Sequence, residues 1–470
     1  MDKVLIIGDS PKISGGVVNY TRPLSQALSK FCDVYYLFNS TATKNNSFFK
    51  KTGIYPVYEK EFDFKCFQLI NGKSVYKNYN QLSNDYSNWF DDLFLEFIDK
   101  INPQTIHINE FFGFSTSIFS SIKKRGIKLI VSVHEYWWLC PHRVMVDFNR
   151  KICSGPENIQ KCTFCVSKQR SKYSPKMELF IDKTKFTFPF LFDFLINLKN
   201  KKDETLSFED LSFGSLDYSN FKDEELYDSI KNRLDKLIEA LNLCDVIIGV
   251  SSDVKRHLIK YGVNADKIII QHIGSIVAEK KGTHSKKVDE NEIVFGFIGG
   301  VGYYKGVHQL VEAYVKLPER LKLKSKLLIY GKYDDSYLNS IKRDFIESRL
   351  DKERIVFYGR FTPIDVPEIT NKIDINILPS LCADTAPQTI FESFSNGLPI
   401  IAPIVGGFPD FIVDGLNGLL YEKASVNGIL NCLTKIINEP ALISKFRSNI
   451  PECKSISENV DELIQIYNGN

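Results

Sequence analysis

Hydrophobic and polar positions along this chain repeat with two periods. Short, nearly continuous apolar runs occur at Val4 to Gly8, Cys32 to Phe38, Thr105 to Ile108, Lys128 to Val133, Asp245 to Val250 and Lys267 to His272. Between them, apolar residues recur three or four positions apart, as at Val17, Tyr20, Leu24, Ala27 and Leu28, at Phe90, Leu93 and Phe97, and at Ile230, Leu234, Leu237 and Leu241. The first kind of run predicts strands buried on both faces and the second predicts amphipathic helices. Their alternation predicts an α/β fold with a doubly wound parallel sheet.

The rhythm lapses twice and then restarts. From about 166 to 228 no strand–helix alternation is visible, and this stretch reads as an insertion. Within it Phe186 to Leu198, FTFPFLFDFLINL, is apolar and aromatic and is followed by Lys199, Lys201 and Lys202. It is too short to span a bilayer. It reads either as a helix packed on its domain or as an interfacial element touching lipid or a lipid-linked acceptor. Ala278 to Asn291 is charged and lacks an apolar period, as a linker would. A second series begins at Ile293, with further strands at Lys326 to Tyr330, Arg354 to Tyr358, Ile373 to Leu378 and Pro399 to Val405. The expected organisation is an N-terminal Rossmann-like domain over 1–277, a linker over 278–291 and a C-terminal Rossmann-like domain over 292–470.

Composition narrows the function classes. Sixty Lys and Arg against 57 Asp and Glu leave a net charge of +3 on 470 residues, too balanced for a nucleic-acid-binding face. No run reaches the about 18 apolar residues of a spanning helix. No signal peptide is expected, because strand-like sequence begins at Val4. The ten cysteines then read as reduced thiols or metal ligands, and the expected location is cytoplasmic, with the inner face of the membrane as the place of any lipid contact.

The stretch Ile373 to Gly407 carries the most chemistry. A strand ends at Pro379 and Ser380, a polar loop holds Asp384, and Thr385 to Pro387 reads as the start of a helix that stops at Asn396-Gly397. The N–H groups of Gln388, Thr389 and Ile390 would then point out of a helix N-terminus, a site suited to a diphosphate. Asp384 and Glu392 would flank it, each able to accept hydrogen bonds from sugar hydroxyls. Lys305 stands at another strand–helix junction, where an ammonium can neutralise phosphate. His134 follows directly on a strand, and ligands of open α/β sheets bind beyond the C-terminal strand ends. Gly15 and Gly16 lie between the first strand and helix, where backbone must turn tightly or approach something closely.

These residues carry a resemblance. Asp384-x7-Glu392, followed by Gly406-Gly407, resembles the E-x7-E signature and Gly-Gly turn of retaining GT-B glycosyltransferases of family 4, with Asp in place of the first Glu. Gly15-Gly16 resembles that family's N-terminal Gly-Gly loop, and His134 in HEYWWLCP resembles its HD motif, with Glu135 for Asp. Where the family carries an Arg and, five residues on, Lys-Gly, this chain has Gly300 and Lys305-Gly306. Gly359-Arg360 falls where the family's backbone meets the nucleotide base. The resemblance implies two Rossmann-like domains facing across a cleft, and transfer of a sugar from a UDP- or GDP-sugar to an acceptor hydroxyl with retention. That acceptor would be a saccharide or lipid-linked saccharide, in cell-surface polysaccharide or glycoconjugate synthesis. It implies catalytic or orienting roles for His134, Asp384 and Lys305. Donor contacts would come from Gly16, Gly300, Lys305, Gly359, Arg360, Asp384, Gln388, Thr389, Ile390 and Glu392. No cofactor is required for catalysis if these groups take the diphosphate charge. An epimerase or hydrolase of the same fold, or a non-catalytic nucleotide-sugar-binding subunit, are the rival readings.

Cys140, Cys153, Cys162 and Cys165 follow His134 closely, and the last two form a C-x-x-C pair. Four such thiols suit structural zinc that fixes the His134 loop. Free buried thiols or, in an oxidising setting, two disulfides are the alternatives, and a reducing compartment disfavours the second.

Overall fold

The structure is a computed structural model that describes residues 2–12, 15–40, 53–70, 88–111, 114–169, 217–279 and 286–469. The Phe186 segment, most of the expected insertion and part of the linker lie outside the described residues.

The apolar runs form two sheets. The first contains β1 (Lys3–Gly8), β2 (Asp33–Ser40), β3 (Gly53–Val57), β4 (Lys65–Ile70), β5 (Thr105–Ile108), β6 (Lys128–Val133), β7 (Val246–Gly249) and β8 (Ile268–Ile270), in the order β3-β4-β2-β1-β5-β6-β7-β8. All neighbours are parallel except the β3–β4 pair at one edge. The second contains β9 (Ile293–Ile298), β10 (Ser325–Tyr330), β11 (Ile355–Gly359), β12 (Ile375–Ile377), β13 (Ile400–Pro403) and β14 (Gly418–Tyr421), in the order β11-β10-β9-β12-β13-β14. This sheet is entirely parallel. Every residue of β9, β12 and β13 is buried, as strands covered by helices on both faces require.

In each sheet the chain builds outward from its first strand, then returns to that strand's other side. The switch lies between β1 and β5 in the first sheet and between β9 and β12 in the second. Crevices open at such points beyond the carboxyl ends of the strands, and here the two crevices face each other.

The C-terminal helix Ile456–Asn468, within the stretch read as the second domain, packs on the first sheet. Its Ile456, Val460, Leu463 and Tyr467 share a core with β1, β5 and β6. Tyr467 Oη lies 2.6 Å from His107 Nδ1, and Tyr20 Oη donates to Asn459 Oδ1 at 2.7 Å. A second seam joins Ser252 N–H to Asp410 at 2.6 Å and sets the His272 and Phe411 rings 4.7 Å apart. The two halves are thereby held with the cleft between them.

The described residues at the two ends of the expected insertion are largely helical, in Ile159–Gln169 and from Glu224 onward. Asp223 caps the second of these by accepting from Leu226 N–H. Among the described residues no helix is long and apolar enough to cross a membrane.

Candidate active site

The cleft encloses about 400 Å³ and is lined from both sheets. Asp9, Gly16, Glu110, His134, Glu135 and Arg143 come from the first half, and Lys305, Asp384, Thr385, Gln388 and Thr389 from the second.

On the second-domain wall, Lys305 and Asp384 close an ion pair, with Nζ 3.0 Å from Oδ1 and 2.9 Å from Oδ2. Ser380 Oγ also donates to Asp384 Oδ2 at 2.9 Å. Lys305 reaches this place because its loop presses against the loop after β12. Leu381 N–H donates to Tyr304 O at 2.8 Å, and a Cβ on Gly306, at φ +70°, would lie 1.8 Å from Pro379 O. Only glycine fits there. Burial works against the Lys305 ammonium, but the Asp384 charge outweighs it and raises its pKa above the usual lysine value.

Gly406-Gly407 holds the other side of the same loop. Gly407 N–H donates to Asp384 O at 2.7 Å, and a Cβ on Gly407 would stand 1.9 Å from Thr385 O. The helix Gln388–Ser395 therefore opens where two backbones touch.

That helix starts later than the sequence suggested. Pro387 is its N-cap and not its first residue. Thr385 does not cap it either, because its hydroxyl donates across the cleft to the carbonyl of His134. Ile390 is buried and its N–H bonds Pro387 O at 3.0 Å, so it is removed from the donor set. Gln388 and Thr389 are the helix-start amides that line the cleft. The helix does end at Asn396, with Gly397 left-handed at φ +68°.

On the first-domain wall His134 sits just past β6. Its Nε2 lies 2.8 Å from Asn109 Oδ1, an acceptor, so Nε2 carries the proton and Nδ1 a lone pair. Burial depresses its pKa to about 3, which keeps the imidazole neutral. Arg143, at φ +69°, donates from Nε to Glu135 Oε2 at 2.7 Å and approaches Glu110 Oε1 at 3.3 Å.

The structure thus brings together Gly16, His134, Lys305, Asp384, Gln388 and Thr389. Glu392 is one turn into the helix, half-buried and outside the cleft lining, and burial raises its pKa. Gly300, Gly359 and Arg360 also lie outside that lining. Gly300 has open space around it, and Arg360 is exposed at the edge of the second sheet. Asp9, Glu110 and Arg143 line the cleft without having been singled out by the sequence pattern. For Asp9 and Glu110 the available signal is their position just past β1 and β5; Arg143 lies ten residues beyond β6 and carries no such signal.

All ten cysteines are free of disulfides. Cys140, Cys153, Cys162 and Cys165 line one cavity of about 30 Å³ beside the cleft. Burial, reinforced by the neighbouring thiols, pushes Cys162 up to about 12. Among the described residues no three His, Cys, Asp or Glu are arranged so that they could hold a metal ion, so the zinc reading gains no support from these side-chain positions.

Two facing, mostly parallel sheets with a cleft at both switch points define the class of fold, and comparison with solved structures agrees. The chain superposes on Anabaena HepE in complex with UDP with a TM-score of 0.61 at 13% identity, covering 99% of this chain and 100% of that one. It superposes on the lipopolysaccharide outer core galactosyltransferase WaaB with a TM-score of 0.58 at 14% identity, with both chains fully covered. The fold is that of the GT-B glycosyltransferases. Residues 278–453 match the family Glycosyl transferases group 1, which embraces the Lys305 loop, Asp384 and the 388–395 helix. An uncharacterised glycosyltransferase of Methanocaldococcus jannaschii is 28% identical over 239 residues, 48% of this chain and 59% of that protein. The capsular polysaccharide biosynthesis glycosyltransferase CapM of Staphylococcus aureus is 24% identical over 208 residues, 42% of this chain and 53% of that protein. The matched stretch spans about three-fifths of the length of the first of these relatives.

Proposed function

We propose that the protein transfers a glycosyl group from a nucleotide-diphosphate sugar to an acceptor hydroxyl, with retention at the anomeric carbon. The observation that carries this reading is the Lys305–Asp384 pair beside the amides of Gln388 and Thr389, facing His134 across the cleft. These groups suit a diphosphate, whose charge grows as the glycosidic bond to phosphate breaks. A preorganised ammonium and helix-start amides act on that charge without reorganisation. Donor binding competes for Lys305, so the ammonium turns from Asp384 to the phosphate and Asp384 becomes an acceptor for sugar hydroxyls. His134 Nδ1 can accept a further hydroxyl. Glu392 would hold the ribose.

No cleft side chain is assigned as a covalent nucleophile. In the proposed step the bond from the anomeric carbon to the phosphate oxygen breaks, and the acceptor oxygen bonds the same face. The acceptor proton passes to the departing phosphate oxygen. UDP is the first donor nucleotide to test, since HepE of the same fold binds it, and the CapM relationship favours a role in cell-surface polysaccharide synthesis.

The test is incubation with a panel of UDP-, GDP- and ADP-sugars and saccharide acceptors, followed by mass spectrometry and proton NMR of the product. The reading expects a disaccharide-type product whose anomeric configuration matches the donor's. Free sugar or an epimerised nucleotide sugar as the sole product, or an inverted product, would overturn it.

A further inference from the structure

The first-domain wall has a feature that donor chemistry does not use. In the parallel register Ile7 of β1 stands opposite Ile108 of β5. Two residues further on, each strand ends in a carboxyl group, Asp9 and Glu110. Asn109 N–H and Glu110 N–H both donate to Ile7 O, at 2.8 and 3.3 Å, which fixes the two chain ends side by side at the switch point.

Glu110 is only 7% exposed yet lines the cleft, and its Oε2 is a buried atom that no donor faces. An ionised carboxylate so placed costs several kcal/mol in desolvation, and a neutral acid is the ordinary escape. Burial, then the charges of Asp9 and Glu135, push Glu110 up to about 9 against the opposing pull of Arg143. Burial therefore favours the neutral, protonated form of Glu110, on the same wall as Asp9. Arg143 is drawn mainly to Glu135, 2.6 Å away. Asp9 accepts from Ser10 N–H at 2.7 Å and lines the cleft, so its carboxyl group adds an acceptor to the wall.

We infer that Asp9 and Glu110 form the hydroxyl-recognition site of the acceptor, and that the acceptor end entering the cleft is an uncharged sugar rather than a phosphorylated or uronic one. This rests on the glycosyltransferase reading of the same cleft. A sugar hydroxyl donates to Asp9, while a phosphate or carboxylate there meets a like charge in a half-desolvated cleft. Charged hydrogen bonds of this kind are strong enough to set specificity. A neutral Glu110 lets the two carboxyl groups share one wall without mutual repulsion.

The experiment is calorimetry and saturation-transfer NMR on UDP-saturated full-length protein. The probes are methyl glucoside, galactoside and N-acetylglucosaminide, each beside its 6-phosphate or 6-carboxylate. At least one neutral glycoside should bind, and its charged counterpart should bind roughly tenfold or more weakly. Asp9→Asn should weaken the neutral glycoside by about tenfold and abolish the discrimination, as loss of a charged acceptor requires. Charged glycosides that bind as tightly as neutral ones, no glycoside binding, or unchanged binding in Asp9→Asn would each overturn the inference. UDP titrated alone separates the two levels. Failure of wild type to bind any nucleotide defeats the transferase reading, whereas normal UDP binding with an adverse glycoside result defeats only the acceptor assignment.

Discussion

Lys305 Nζ lies 3.0 and 2.9 Å from the two carboxylate oxygens of Asp384, across the switch point of the second sheet. The two residues are 79 positions apart and come from the segments that follow β9 and β12, strands that lie side by side. Each therefore determines the charge that the other presents to a ligand. Lys305→Ala should lower turnover more than donor affinity, since the charge it answers grows in the transition state. It also leaves Asp384 repelling phosphate, so Lys305→Ala and Asp384→Ala should be non-additive. A double-mutant cycle on kcat/KM should give a coupling of about 1–3 kcal/mol. Additive losses would show that the pair does not act as a unit.

Thr385 ties the two walls together through its bond to the His134 carbonyl. Thr385→Val keeps the shape and removes the hydroxyl, leaving that carbonyl without its partner. We expect a loss of about 1–2 kcal/mol in denaturant unfolding, together with a lower kcat as His134 loses its position. Unchanged stability and turnover would make the contact incidental.

Gly407→Ala sets a methyl group where Thr385 O already stands, 1.9 Å from the Cβ position. The Asp384 loop must move or the helix start must shift. Overpacking of this kind costs about 1–3 kcal/mol, and donor affinity should fall with it. A variant with wild-type melting temperature and nucleotide affinity would contradict the tight packing described here.

Glu110 offers a pH test with a definite sign. Its folded-state pKa is raised from 4.5 to about 9, chiefly by burial and then by Asp9 and Glu135 against Arg143. The folded state then binds more protons than the unfolded chain between those values. The stability held by this group is fully present below about pH 4.5 and is lost as pH rises toward 9. Glu110→Gln removes the titration, so its melting temperature should fall less than wild type's between pH 6 and 9. Parallel curves for the two proteins would place an ionised Glu110 in the cleft.

The sequence disclosed what depends on one segment at a time. The buried runs of β1, β9 and β12 are apolar enough to stand out, and the 388–395 helix carries its own stop at Asn396-Gly397. Lys305, Asp384 and His134 could be placed because each follows a strand. Contacts between distant segments were hidden. Nothing near Asp9 says that β5 will bring Glu110 beside it, because that follows from strand order and register. The apolar stripe of Ile456, Val460 and Leu463 shows a buried face but not which core it joins. Thr385 looked like a cap because Ser and Thr often are, and its cross-cleft acceptor is the carbonyl of a residue 251 positions away. Ile390 lost its place among the amides to a local turn that periodicity does not resolve.

Glu392 remains the weakest link between sequence and site, since it lies outside the cleft lining with its carboxyl half-buried. If it holds the ribose, Glu392→Ala should cost about 1.5–3 kcal/mol of nucleotide affinity, and affinity for inorganic diphosphate should not change. Equal loss for both ligands would point to a disturbed helix rather than a missing ribose contact.

The central claim is that a nucleotide diphosphate is held between Lys305 and the amides of Gln388 and Thr389. Isothermal titration of UDP and GDP into wild type and Lys305→Ala tests it most directly. The account predicts saturable one-to-one binding of at least one nucleotide to wild type and weaker binding, by roughly 1 kcal/mol or more, to the variant. No nucleotide binding to wild type, or identical affinity in the two proteins, would contradict it.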